Sequence, residues 1–194
     1  MQMQTGRAKF GVVGDIVRLA NPVFVLLAVA LPIGAYIYAY NFGPLKAQNY
    51  VHIMTGGLWT GIDLFMGFVL GPVLGTMEPR DRAEVLKRLI PRMTFLMPVL
   101  AGVTATSGFQ FAQQMGIFNL ANPWILAALA ITAILTIQGF GFLLPNEIRI
   151  FRQLLSERPD IEKISRLGMF NAKLGGVQGV FQLAIIFVMA NLRF

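Results

Sequence analysis

Five continuous apolar stretches, at about 22–40, 50–77, 93–115, 123–144 and 174–192, constrain this chain more than any other feature. Roughly 20 apolar residues at 1.5 Å per residue cross the ~30 Å hydrocarbon layer of a bilayer as one helix. Inside that layer every backbone N–H and C=O needs an internal partner, so such runs form helices. The sequence therefore predicts an all-α integral membrane protein with five transmembrane helices, in one membrane domain that covers 1–194. Residues 1–21, with Arg7, Lys9 and Arg18 set among Phe10, Val12, Val13, Ile16, Val17 and Leu19, predict an amphipathic segment on the membrane surface. Asn21-Pro22 reads as the cap and first turn of span 1.

The connectors settle the orientation. Lys and Arg number three before span 1, five between spans 2 and 3, and six between spans 4 and 5, against one, none and one on the other side. By the positive-inside rule the N-terminus is cytoplasmic and the C-terminus outside, in a cytoplasmic (inner) membrane. The same placement accounts for the net charge of +7 without a nucleic-acid partner. No cleavable-signal pattern appears, so the first span reads as retained. The chain has no Cys, which excludes disulfides, thiolate metal sites, iron–sulfur clusters and covalently attached haem; any metal would rest on His, Met, carboxylate or backbone groups. No nucleotide-binding loop, Ser-His-Asp arrangement or zinc-binding His pair occurs.

Span 2 concentrates the chemistry. It holds the single His (His52), one of two Trp (Trp59) and the only acidic residue deep in an apolar run (Asp63). At 100° per residue, offsets of 7 and 11 return to within about 20° of the His52 direction, so the three share a helix face, with Gly56 on the same stripe. Gly57/Gly61 and Gly67/Gly71/Gly75 make two further ridges on which neighbouring helices can approach closely. Asp63 lies about 16 Å along the helix from His52. A carboxylate at that depth costs several kcal/mol unless protonated or partnered. The candidate partners are Gln110, Gln113, Gln138, Thr104, Thr106 or a basic group reaching in from a connector. Thr104, Gln110, Gln113, Gln138 and Gln178 form a candidate polar interior. His52 is a candidate ligand for haem iron or copper, with Trp59, Asp63 and Gly56 beside it. A bis-His haem needs a second His, which only a second copy of the chain can supply, unless Met serves. The ten methionines read as packing material.

An internal repeat is also legible. A shift of 74 residues superimposes Gly67 on Gly141, Phe68 on Phe142, Ile90 on Ile164, Arg92 on Arg166, Leu100 on Leu174, Gly102 on Gly176 and Val103 on Val177. Spans 2–3 and 4–5 then become two pseudo-repeated hairpins that form a four-helix core. Under the shift His52, Trp59 and Asp63 fall on Leu126, Ala133 and Ile137, so the polar stripe belongs to the first hairpin alone.

The string His52-Ile53-x₅-Trp59-x-Gly61-x₃-Phe65, followed by Gly71-Pro72, resembles the first-hairpin motif of a group of small membrane proteins. The group includes the copper-resistance D family and, more distantly, the membrane-type protoporphyrinogen oxidase. Leu89-x₂-Arg92 and Pro98-x₂-Ala101-x₂-Thr104-x₃-Gly108 are similar to a second fragment of that group. The resemblance, over about 50–115, implies a four-helix core in which His52 contacts haem or metal. Residues 66–73 carry none of the basic or His residues that follow this motif in the oxidase type, and Asp63 is not part of the group's pattern.

These readings predict a protein that binds haem b, or alternatively copper, through His52 and acts as an electron-transfer or accessory subunit of a membrane redox system. A different class is a proton or ion conduit, or a small-molecule transporter, with Asp63 as its charge-handling group. A third is a structural subunit whose glycine ridges pack on partners. Besides the lipid bilayer, the expected partners are copies of itself in a homo-oligomer or the members of a larger membrane complex.

Overall fold

The computed structural model describes residues 11–193 and is 89% helical, with no strand among the described residues. A short helix α1 (Gly11–Ala20) precedes five long ones: α2 (Pro22–Asn41), α3 (Leu45–Thr76), α4 (Pro79–Gln114), α5 (Pro123–Leu154) and α6 (Ile161–Arg193). All five are long and apolar enough to cross a membrane. Residues 1–10 of the expected amphipathic segment lie outside the described residues; α1 is its remainder.

Local chemistry sets the ends of these helices. Asn21 adopts φ 73, a left-handed conformation that Asn tolerates better than most side chains, and its Oδ1 accepts the Val23 N–H at 3.0 Å. Pro22 occupies the first turn, where no N–H is needed. Asn122 repeats the device before Pro123, accepting from Trp124 N at 2.9 Å. At the end of α3, Arg82 of α4 donates to Leu74 O (2.7 Å), Gly75 O (3.3 Å) and Met77 O (2.8 Å), and to Ser165 Oγ of α6 (3.1 Å). One guanidinium thus satisfies two of the open carbonyls of α3 and ties three helices together, with its charge placed where the helix dipole favours a cation.

Two helices contain a wide turn. α3 passes through a π segment at Phe65–Leu70 and α5 through one at Gly139–Leu143, and each is followed within two residues by a proline, Pro72 or Pro145. Proline lacks an N–H and its ring crowds the carbonyl one turn back, so an inserted residue accommodates it without breaking the helix.

The basic connectors are largely helical. The stretch expected as the 78–92 loop opens α4, α5 continues to Leu154, and α6 begins at Ile161 rather than 174; at the other end α3 starts at Leu45 rather than 50. These extensions stand beyond the apolar runs, where water drives burial. Leu74, Ala83, Leu86, Ile90, Ile150, Phe151 and Ile164 accordingly form the larger of two buried apolar clusters among the described residues. At membrane depth the packing relies on small residues instead, because lipid tails are as apolar as Leu and give no incentive to bury it. Gly67 lies against Gly176 so closely that a Cβ on it would fall 2.6 Å from Gly176 N, and Gly71 and Gly75 face Ala172 and Met169 of the same helix. The Gly57/Gly61 ridge meets nothing within 4 Å.

α3 and α6 run antiparallel in contact, α4 packs along α3, α5 packs along α6, and α2 lies outside against α3 and α4. α4 and α5 meet chiefly through the Leu144–Leu154 section of α5. Along the rest of their length they stand apart, and the space between them opens the core.

Candidate functional site

A cavity of about 200 Å³ fills that space. Its walls are mostly apolar: Met66 from α3, Met93, Met97 and Ala101 from α4, Leu135, Phe140 and Leu143 from α5, Ala172 and Gly175 from α6. Set into them are two carboxyls, Asp63 and Glu147, together with Trp59, Thr132, Thr136, Asn171 and Gln178; no Lys, Arg or His is present.

Asp63 is 3% exposed. Its Oδ2 accepts from Gln182 Nε2 of α6 at 2.8 Å, and the Trp59 indole, one turn earlier, is directed at the same carboxyl. Gly175 of α6 adjoins it, where a Cβ would stand 3.4 Å from Asp63 Oδ1, in ordinary contact. The partner is therefore Gln182, not one of the α4 residues or Gln138 considered from the sequence. Gln182 is itself buried, and its Oε1 has no hydrogen-bond partner among the described residues. An unsatisfied buried amide oxygen is costly, which marks this as a place where a further donor is missing. Glu147 lies nearer the basic end of the bundle, where its Oε2 accepts from the Thr94 hydroxyl of α4 at 2.6 Å.

Two amides of α6 shape the α5 wall. Gln178 Nε2 donates to Leu135 O (3.1 Å) just before the π segment, and Asn171 Nδ2 donates to Leu143 O (3.2 Å) at its end. Asn171 Oδ1 accepts in turn from Asn146 Nδ2 at 3.1 Å.

The residues of the span 2 stripe separate into two groups. Trp59 and Asp63 border the cavity. His52 turns to α4 instead, its Nδ1 3.0 Å from Thr104 O and 3.1 Å from Ser107 Oγ, with the ring lodged over Gly108. Gly56 faces the same helix, where a Cβ would stand 3.2 Å from Thr104 Cγ2. Thr104 Oγ1 donates to Thr55 Oγ1 at 3.0 Å. Of the other polar residues, Gln178 lines the cavity, Gln110 accepts from the Tyr36 hydroxyl of α2, Gln113 is exposed, and Gln138 has a buried Oε1 without a partner among the described residues. Among the described residues no group of three His, Cys, Asp or Glu gathers as a metal site.

Glu147 is the functional candidate that sequence reasoning passed over, counted there as a charge in a basic connector. The available signal was its spacing: it precedes the buried Ile150 and Phe151 by three and four residues, on the inward face of an amphipathic extension.

Comparison with protein-family models, curated proteins and solved structures finds no match. What fold and site define together is a multi-span helical membrane protein with a carboxyl-bearing cavity in its core.

Proposed function

We propose that this protein carries a small molecule or ion through the membrane, with Asp63 as the group that handles its charge. The observation behind the reading is the composition of the cavity: two carboxyls in a mostly apolar wall, with no cationic side chain to balance them. A buried carboxyl in such surroundings is compensated by a proton or by a cation that comes from outside the protein. Both bind the same oxygens, so the occupancy of one excludes the other, which is the elementary requirement for exchange. Glu147, at the basic end, is the second carboxyl on the same path.

The test is proton flux in proteoliposomes, read by an internal pH dye under an imposed potassium potential. Asp63→Asn abolishes the flux, and His52→Ala leaves it in place. A flux that Asp63→Asn leaves at the wild-type rate refutes the reading.

A second reading, haem b or copper held by His52 in a redox subunit, has its own support. Nδ1 paired with a backbone carbonyl is the arrangement that fixes a ligating imidazole and leaves Nε2 as the donor. The chain meets the requirement for one ligand only, so a second copy or a Met would complete the set; a bound haem would supply one-electron transfer. Spectra of the purified protein, oxidised and then dithionite-reduced, decide it: a Soret band that His52→Ala removes supports this reading, and a colourless, metal-free protein removes it.

For the fold we further propose the orientation given by the connectors, N-terminus cytoplasmic and C-terminus outside in the inner membrane, and descent of the two hairpins from one repeat. The π segments support the repeat, because they begin at Phe65 and Gly139, 74 residues apart, the same shift that aligns the sequence.

A further inference from the structure

The mouth of the cavity identifies what enters it. Gly102 and Ala105 of α4 and Thr136 and Phe140 of α5 line the cavity and are at the same time exposed on the outer surface of the bundle. All four lie well inside helices of membrane-spanning length, so the mouth faces sideways, toward lipid tails and not toward water. A Cβ on Gly102 would meet nothing within 4 Å, and this rim is therefore open. Asp63 sits level with Gly175, and the pairings of Gln178 with Leu135 and Asn171 with Leu143 put that level near residue 139 of α5. Glu147 is eight residues further along, about 12 Å at 1.5 Å per residue. Between the two carboxyls the wall is Met93, Met97, Phe140 and Leu143.

We infer that the cavity binds a lipophilic amine, which enters from the bilayer between α4 and α5, sets its ammonium group on Asp63 and lays its hydrocarbon chain along the apolar wall. The inference rests on the carrier reading above and names its substrate class. Three observations carry it. The mouth opens between residues at membrane depth. The walls match a hydrocarbon chain. The carboxyl of Asp63, on the cavity wall, has the Gln182 amide and the Trp59 indole for partners and no cation among the described residues. An ammonium group has N–H donors and one charge, which meets the need of that carboxyl. A neutral lipid tail fills the same walls but leaves the carboxyl as it is.

The experiment uses the full chain in nanodiscs with Trp124→Phe, so that Trp59, on the cavity wall beside Asp63, is the sole tryptophan and is excited selectively. The probes are a straight eight-carbon alkylamine and the alkanol of equal length, each carrying bromine on its third carbon, so that the bromine reaches Trp59 when the head group is on Asp63; bromine quenches an indole only at contact. The expected result is saturable quenching by the amine, with half-saturation raised about tenfold or more in Asp63→Asn, while the alkanol responds to that substitution by less than about twofold. Gly102→Phe, placed in the open rim, is expected to slow the onset of quenching by both probes. Equal behaviour of amine and alkanol, saturable in both and indifferent to Asp63→Asn, overturns the amine while leaving a ligand cavity standing. Quenching that never saturates with either probe overturns the cavity as a binding site and the carrier reading with it. An onset unchanged by Gly102→Phe overturns entry from the side.

Discussion

Gly67→Ala is the sharpest test of how the bundle is held together. A Cβ at 67 comes within 2.6 Å of Gly176 N and closer still to its Cα, whereas ordinary contact begins near 3.4 Å, so α3 and α6 must separate by at least 0.8 Å (3.4 less 2.6). The obstacle is backbone, which cannot swing aside as a side chain does. Overpacking of this kind costs about 1–3 kcal/mol, and tenfold per 1.4 kcal/mol makes that about 5- to 150-fold in the folding equilibrium. Gly61→Ala is the control, on the same helix but with nothing within 4 Å of its added methyl group. The gain in helix propensity of up to about 1 kcal/mol is common to both variants, so their difference isolates the clash. Reversible unfolding in mixed micelles, by denaturing-detergent titration and far-ultraviolet circular dichroism, measures it. Gly67→Ala unfolds well before Gly61→Ala. Coincident curves would show that the glycine contact does not set the approach of α3 and α6.

Other substitutions report on neighbouring features. Arg82→Ala uncaps α3 and is expected to cost about 2–3 kcal/mol in the same titration; Arg82→Lys recovers only part, because an ammonium cannot reproduce the forked contacts to Leu74 O and Met77 O. Gly108→Ala puts a methyl group 2.7 Å from His52 Cε1 and displaces the ring from Thr104 O, a loss of about 1 kcal/mol. In a His52→Ala background the same change is neutral, and a cycle without that coupling would contradict the contact. Asn171→Ala frees Leu143 O, and amide hydrogen exchange across 139–143 is expected to rise about tenfold; unchanged protection would mean that the amide does not hold the segment.

The membrane part of the fold was legible because its cause is solvent, and solvent writes itself into runs of apolar residues. Span 1 begins at Pro22 as the Asn21-Pro22 cap indicated, and the Gly67/Gly71/Gly75 ridge meets a helix as small residues at that spacing suggest. The helical start of α4 was read as a loop because Arg and Lys masked the periodicity of Ala83, Leu86 and Ile90. The candidate site was legible in part. Asp63 and Trp59 stood out by rarity, and both line the cavity. The 100° rule placed His52 on the same stripe but was silent on which neighbour each turn of α3 meets: α4 at His52 and Gly56, α6 at Asp63. Gln182 was one polar residue among several, since only the packing of α6 on α3 brings together positions 119 apart in the chain.

The two amide bonds from α6 to α5 have a consequence for phase. A π segment inserts a residue into an otherwise regular helix, and such an insertion can migrate by passing its irregular hydrogen bond from one turn to the next. Each step would turn the intervening residues by about 100° about the helix axis. Gln178 holds a carbonyl before the segment and Asn171 the one at its end, so that they act as two stops that keep the insertion from travelling. Glu147 lies four residues past the second stop. Its azimuth, and with it the presence of a second acid in the cavity, is set by a pair of neutral amides that never touch it.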